Sequence, residues 1–216
     1  MLYKIYKKLL KHFGPQGWWP INGVYDPEKK HFSEKEKFEI MAGALLTQNT
    51  AWNNVEKALS NLKKENLVDA NKISKINLKK LQALIKPSGY YRQKAKRIKD
   101  FAKTIKVIGN ADNIPRDRWL EIKGIGPETA DSILLYVFGK PFFVVDAYTK
   151  RLVTRLGVLK SEDYRKVQKL FENSIPQNVE IYKEYHALIV ALAKKYCKSK
   201  PECDICPILK YCHRLH

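Results

Sequence analysis

Apolar residues recur along most of the chain at spacings of three and four, the period of a helix with one buried face. Leu2, Ile5, Leu9 and Phe13 share such a face on a basic segment that breaks at Gly14, Pro15 and Gly17. Ser33 opens a second helix, with Glu36 three residues on to complete a capping box and Phe38, Met41 and Leu45 as the buried stripe. Further helices are expected over 55–62, 78–85, 91–108, 162–174 and 181–195. Pro87, Ser88 and Gly89 separate the second of these from the third and leave Tyr90 and Tyr91 at the tip. The only extended signal, Pro141 to Val145, is too short to pair alone. The pattern predicts an all-α chain.

One stretch, Leu120 to Leu156, combines two chemically suggestive features. Gly124, Ile125 and Gly126 form a tight turn between two helical patterns, and glycines there permit positive φ and leave backbone N–H groups bare for an oxygen anion. Pro127 suits the first position of the next helix, whose N-terminal dipole adds to the anion site. After that helix and a short apolar run comes Asp146. An ordinary helix connector would carry the same glycines, and Asp146 would serve equally as the cap of a helix starting at Ala147. Context has to separate these readings.

Composition narrows it. The 216 residues, 44% of them hydrophobic, are enough for a real core in one large domain or two lobes, and they exclude disorder. A formal charge of +19 attracts polyanions, nucleic acid first, although lysine excess also accompanies heat adaptation. No run approaches the roughly 18 apolar residues of a membrane span, and Met1 to Pro20 lacks the apolar core of a signal peptide. The expectation is a soluble cytoplasmic protein with no membrane partner. The basic residues Arg92, Lys94, Lys96, Arg97 and Lys99 are expected to form a solvated helix face, which with Tyr90 beside it also suits a phosphate track.

All four cysteines, Cys197, Cys203, Cys206 and Cys212, fall in the last twenty residues as C-x5-C-x2-C-x5-C. Their absence elsewhere excludes a disulfide scaffold and points to a metal centre. Zinc sites usually pair two short Cys-x-x-Cys turns, whereas long arms around one such turn suit the larger 4Fe–4S cluster, with zinc as the alternative. Near the other end, Trp18, Trp19 and Pro20 place bulky groups in a loop, either to close a core edge or to wall a base pocket.

Taken together, the hairpin IKGIGPETA, the VVDAY segment and the terminal cysteine loop resemble the helix-hairpin-helix DNA glycosylases of the endonuclease III superfamily, from about Phe38 to the C-terminus. The family pattern has one more residue in its first cysteine interval, so this loop is a shortened version. The resemblance implies a two-lobed helical fold, with a six-helix domain over 30–140 and a second lobe from 1–29 and 141–216 that carries a cluster loop at 197–212. It implies double-stranded DNA containing a damaged base as partner, a monomer, and nucleoid association. By the same carry-over, Gly124, Ile125 and Gly126 hold the DNA backbone, and Asp146 stabilises charge developing on the deoxyribose.

The family's lyase members keep a lysine nucleophile where this chain has Glu128, and a carboxylate cannot form a Schiff base. Glu128, LLTQNTAW and the WWP loop look like the 3-methyladenine DNA glycosylase III branch, which can lack the cluster. The implied activity is a monofunctional glycosylase that excises alkylated purines. Trp18, Trp19, Pro20 and Trp52 would line the base pocket, and Gln48 and Tyr90 would fill or wedge the vacated duplex position. Two rivals stand: a glycosylase for uracil, mismatched thymine or oxidised pyrimidines, and a noncatalytic DNA-binding iron–sulfur protein.

Overall fold

The computed structural model describes residues 1–29 and 31–213. Among them the regular structure is helical, and the one β contact is an isolated bridge between Ile21 and Val24. Among the described residues no helix is long and apolar enough to cross a membrane. The chain divides into two compact units, one of residues 1–18 and 134–216, the other of residues 19–133. The sequence-based boundaries were 29/30 and 140/141; these fall at 18/19, inside the Trp-Trp-Pro loop, and at 133/134.

The 19–133 unit opens with α2 (Glu34–Thr47), following α1 (Leu2–Phe13) of the other unit. The capping box is present: Ser33 N donates to Glu36 Oε2 at 2.9 Å, and Glu36 N donates back to Ser33 Oγ at 3.4 Å. The expected stripe of Phe38, Met41 and Leu45 understates the burial, because every residue from Phe38 to Leu46 is buried and α2 forms the unit's central rod. Around it come α3 (Trp52–Lys64), α4 (Ala70–Lys75), α5 (Leu78–Leu84), a 3-10 turn at Lys86–Ser88 and α6 (Tyr91–Ile108). The sequence pattern did not separate out α4, a single turn and a half capped by Asp69. It packs on α6, as does α5. The hairpin helices α7 (Arg116–Glu121) and α8 (Pro127–Tyr136) complete the unit, whose boundary falls within α8.

In the other unit, α1 packs on α10 (Tyr164–Ser174) and α11 (Val179–Lys195), and α11 on α9 (Ala147–Arg155). Leu2, Ile5 and Leu9 are buried as expected, and the Tyr185 hydroxyl donates to Leu2 O at 2.9 Å. The core is aromatic: Phe143 stacks on Phe171 at 4.2 Å and meets Tyr182 edge-on at 5.4 Å. Pro141 to Val145, read as a strand signal, forms no strand. Its backbone is satisfied by side chains instead. Phe143 N donates to Glu172, Gln168 donates to Phe143 O, and Val145 N donates to the Tyr164 hydroxyl, which lets a buried extended segment do without a strand partner.

Candidate functional site

The hairpin loop is set by a buried ion pair and one glycine. Arg116 on α7 grips Asp131 on α8 with Nε to Oδ1 at 2.6 Å and Nη2 to Oδ2 at 2.9 Å, and the pair is 6% and 0% exposed. This bidentate clasp fixes the two helices whose junction is the loop. Gly124 has φ +89°, and a Cβ there would lie 3.2 Å from Arg97 Cδ. Gly126 is not among the residues of positive φ, so of the two glycines expected to need that freedom, Gly124 uses it. Ile125 is buried and anchors the loop. Glu128 lies exposed in the first turn of α8.

Helix α6 ties that loop to two others. Gln48 Nε2 donates to Gly124 O at 3.2 Å and to Thr129 Oγ1 at 3.0 Å, while its Oε1 accepts from Arg97 Nη1 at 2.9 Å. The amide expected to reach towards DNA is therefore committed to bracing the hairpin in this state. Lys94 is 3% exposed, and its ammonium donates to Leu46 O, Thr50 Oγ1 and Ser88 O at 2.7, 2.5 and 2.7 Å. Burial, helped by Arg97, pulls its pKa down to about 8. Lys99 donates to Ile76 O. Of the five basic residues expected on a solvated face of α6, three serve structure, and Arg92 and Lys96 are exposed. The spacing of a charged face does not reveal which members turn inward; Lys94 reaches Thr50 and Leu46, 44 and 48 residues away, Arg97 reaches Gln48, 49 away, and Lys99 reaches Ile76, 23 away.

Through these bonds the 48–50 turn, the 88–90 turn and the hairpin loop form one connected polar network. Two residues on it, Asn49 (φ 53°) and Tyr90 (φ 44°), hold left-handed backbone conformations that cost a bulky residue of order 1 kcal/mol. Tyr90 is also 69% exposed.

The tryptophan loop is split between units. Trp18 belongs to the 1–18 and 134–216 unit and is part-buried. In the other unit Trp19 meets Trp52 edge to face at 5.2 Å and 87°. Trp19 also lies so close over Gly43 that a Cβ there would stand 2.8 Å from its Cζ2. A glycine inside a helix costs about 1 kcal/mol relative to alanine, and this contact is the reason for it. That mid-helix glycine was the sequence signal for Trp19's seat. Pro20 and Trp52 line a cavity of about 250 Å³ that also contains Glu39, which Lys63 engages at 2.6 Å.

Asp146 caps α9. Its Oδ1 accepts from Thr149 N at 2.7 Å and Thr149 Oγ1 at 2.8 Å, and its Oδ2 lies 3.6 Å from His186 Nε2. Burial pushes the carboxyl pKa up, but His186 and the two Thr149 donors outweigh it, and the net pKa is below the ordinary value. The cap and the ionised carboxylate are the same feature. His186 was not anticipated, because one histidine in the apolar run of α11 carries no distinguishing pattern.

The four cysteines line one pocket with Leu152, Leu192 and Arg155. Arg155, at the last position of α9, donates to Cys197 Sγ at 3.2 Å and to Lys198 O at 2.7 Å, and Cys212 Sγ donates to Arg155 O at 3.2 Å. Burial and the three other cysteines raise the Cys206 thiol pKa. Among the described residues no group of three or more His, Cys, Asp or Glu is set to hold a single metal ion. Four sulfurs around a common apolar pocket, with a guanidinium on one of them, fit a thiolate-ligated cluster by donor chemistry.

Residues 42–177 match the HhH-GPD superfamily of base excision DNA repair proteins. A candidate DNA repair glycosylase of Methanocaldococcus jannaschii is 46% identical over 98% of this chain and 96% of its own. Among solved structures, an H. pylori 3-methyladenine DNA glycosylase bound to 1,N6-ethenoadenine is 32% identical, with a TM-score of 0.71 over 90% of this chain and 97% of that one. A trapped endonuclease III–DNA covalent intermediate shares the fold at 23% identity and a TM-score of 0.78, over 99% and 96% of the two chains. With the hairpin, its clasp and the capped carboxylate in place, the chain belongs to the helix-hairpin-helix DNA glycosylases of the endonuclease III superfamily, within the HhH-GPD base excision DNA repair proteins.

Proposed function

We propose that the protein is a monofunctional DNA glycosylase that binds damaged double-stranded DNA, flips an alkylated purine such as 3-methyladenine out of the stack and hydrolyses its glycosidic bond, leaving an abasic site. The observation that carries this reading is the occurrence, in a chain 32% identical to a 3-methyladenine glycosylase, of both an ionised, capped Asp146 and a glutamate at position 128. An N-alkylated purine is already cationic, so its bond needs little acid catalysis; what helps is negative charge near the sugar. A carboxylate about 4 Å from the developing cation contributes about 1 kcal/mol in bulk water and about 4 kcal/mol at an effective dielectric near 20.

Under this reading Gly124, Ile125 and Gly126 present backbone N–H groups to a phosphate, supported by the N-terminus of α8. Trp18, Trp19, Pro20 and Trp52 hold the base, and aromatic faces favour a cationic ring by about 0.5–2 kcal/mol over a neutral one. Gln48 acts by bracing the hairpin loop, and Tyr90 is the wedge, its exposure and left-handed backbone being what supports the role. Replacing Tyr90 with Ala removes a stacking contact worth about 1–3 kcal/mol and should weaken binding to lesion duplex about five- to hundredfold while moving Tm little. Fluorescence anisotropy and a thermal melt check both halves.

Glu128 leaves no amine at the lyase position, so the reaction ends at the abasic site. A panel of duplexes with single defined lesions tests substrate: release of free 3-methyladenine supports the reading, and release of uracil or mismatched thymine alone would replace it. Borohydride should trap no covalent protein–DNA adduct, whereas an adduct would restore a lyase. Cys197, Cys203, Cys206 and Cys212 would hold a 4Fe–4S cluster, with Arg155 complementing the charge on Cys197. When bound, such a cluster supplies a rigid cross-link of the loop. Metal analysis should return about four irons per chain, and zinc in their place would overturn the assignment.

A further inference from the structure

Oδ1 of Asp146 is saturated by the two Thr149 donors, which leaves Oδ2 to its own environment. There the facing group is His186 Nε2, 3.6 Å away. This nitrogen is buried and has no hydrogen-bond partner among the described residues. The ring's other nitrogen, Nδ1, is 2.8 Å from the Tyr136 hydroxyl, which also lies 3.3 Å from Lys183 O. Tyr136 is 3% exposed and so is fixed in place.

The protons of this chain can be counted. If the Tyr136 hydroxyl donates to Lys183 O, its oxygen accepts from Nδ1–H. Nε2 then either carries a second proton, making an imidazolium beside the carboxylate, or turns a bare lone pair against it. If instead Tyr136 donates to Nδ1, a neutral ring carries its proton on Nε2. Setting aside the repulsive lone-pair case, Nε2–H faces Oδ2 in both arrangements.

Resting on the reading of Asp146 as the catalytic carboxylate, we propose that His186, oriented by Tyr136, is a positioning residue that holds Oδ2 of Asp146 in place for the reaction. A separation of 3.6 Å is longer than a hydrogen bond, so in the free protein the ring supplies direction and field without consuming the oxygen that substrate needs. The carboxylate thus stays ionised in a place where its side chain is only 14% exposed. Other groups nearby do not substitute for it. Thr149 from α9 is neutral, and Tyr136 from α8 acts through the ring. The Lys150 ammonium stands 3.8 Å from Glu162, and Lys183 pairs with Glu180 at 3.1 Å.

The test is single-turnover base release, against pH, from a lesion duplex that the wild type processes, with duplex affinity measured alongside. His186→Ala should lower the rate about tenfold to a hundredfold with affinity unchanged, the scale of a close electrostatic contact at a dielectric between that of water and about 20. Its acid limb should move to higher pH, because Asp146 then protonates more easily. His186→Gln, whose amide nitrogen takes the place of Nε2, should restore most of the rate at neutral pH. Tyr136→Phe should shift the acid limb the same way by a smaller amount, and it keeps the proposal testable if His186→Ala fails to fold. An unchanged acid limb in these variants, or no rescue by Gln, would overturn the proposal. Asp146→Asn separates this from the underlying reading: an inactive Asn variant beside a fully active His186→Ala sinks the His186 role alone, and a fully active Asn variant sinks both.

Discussion

Replacing Asp146 with Asn is expected to reduce base release about a thousandfold while leaving the protein as stable as the wild type. Asparagine caps helices as well as aspartate does, and its carbonyl can accept from Thr149 N and Oγ1 as Oδ1 does now. What the substitution removes is the charge. At an effective dielectric near 20 that charge contributes about 4 kcal/mol to a cationic transition state, which is about three powers of ten in rate. Single-turnover excision kinetics and a urea melt measure the two halves independently. Retained excision would take Asp146 out of the mechanism; lost stability would show that the capping argument is incomplete. A wild type that releases no base from any lesion would favour the noncatalytic DNA-binding alternative.

The second large effect lies in the hairpin clasp. Arg116→Met should leave Asp131 as a buried carboxylate at 0% exposure without its guanidinium, at a cost of about 3–5 kcal/mol. Each kcal/mol moves Tm by about 2–4 °C in a chain of this size, so a fall of about 6 °C or more is expected. The reciprocal Asp131→Leu should cost a comparable amount, but the double replacement should recover most of the loss, since two apolar groups of similar volume leave no orphaned charge. A double-mutant cycle with little coupling would mean that water reaches the pair. Loss of DNA affinity in the Arg116 variant at a temperature where it remains folded would show that the clasp also sets the hairpin loop for DNA binding.

These two predictions rest on residues that were legible to different degrees. Asp146 stood out because it follows an apolar run and precedes a helix, a local signal that its cap geometry carries into the structure. The Arg116–Asp131 pair was invisible, because two charges 15 positions apart look like surface residues until packing closes over them. Gln48 drew attention in the sequence through its place in LLTQNTAW. Its bonding was not legible there: the amide meets Arg97, Gly124 and Thr129, which are 49, 76 and 81 residues distant.

What the sequence determined by itself was whatever local physics governs: the helical period, the Ser33–Glu36 box, the Asp146 cap and the gathering of four cysteines at one end. Each depends on neighbours within a few positions, so composition and spacing are enough. Only the tertiary structure decided which polar groups are structural and which face outward. It turned Lys94 and Arg97 from a solvated face into braces, seated Trp19 on Gly43 and brought His186 to within 3.6 Å of Asp146. The physical reason is that a buried polar group must find a partner or lose several kcal/mol, and that partner is chosen by the packing of remote segments.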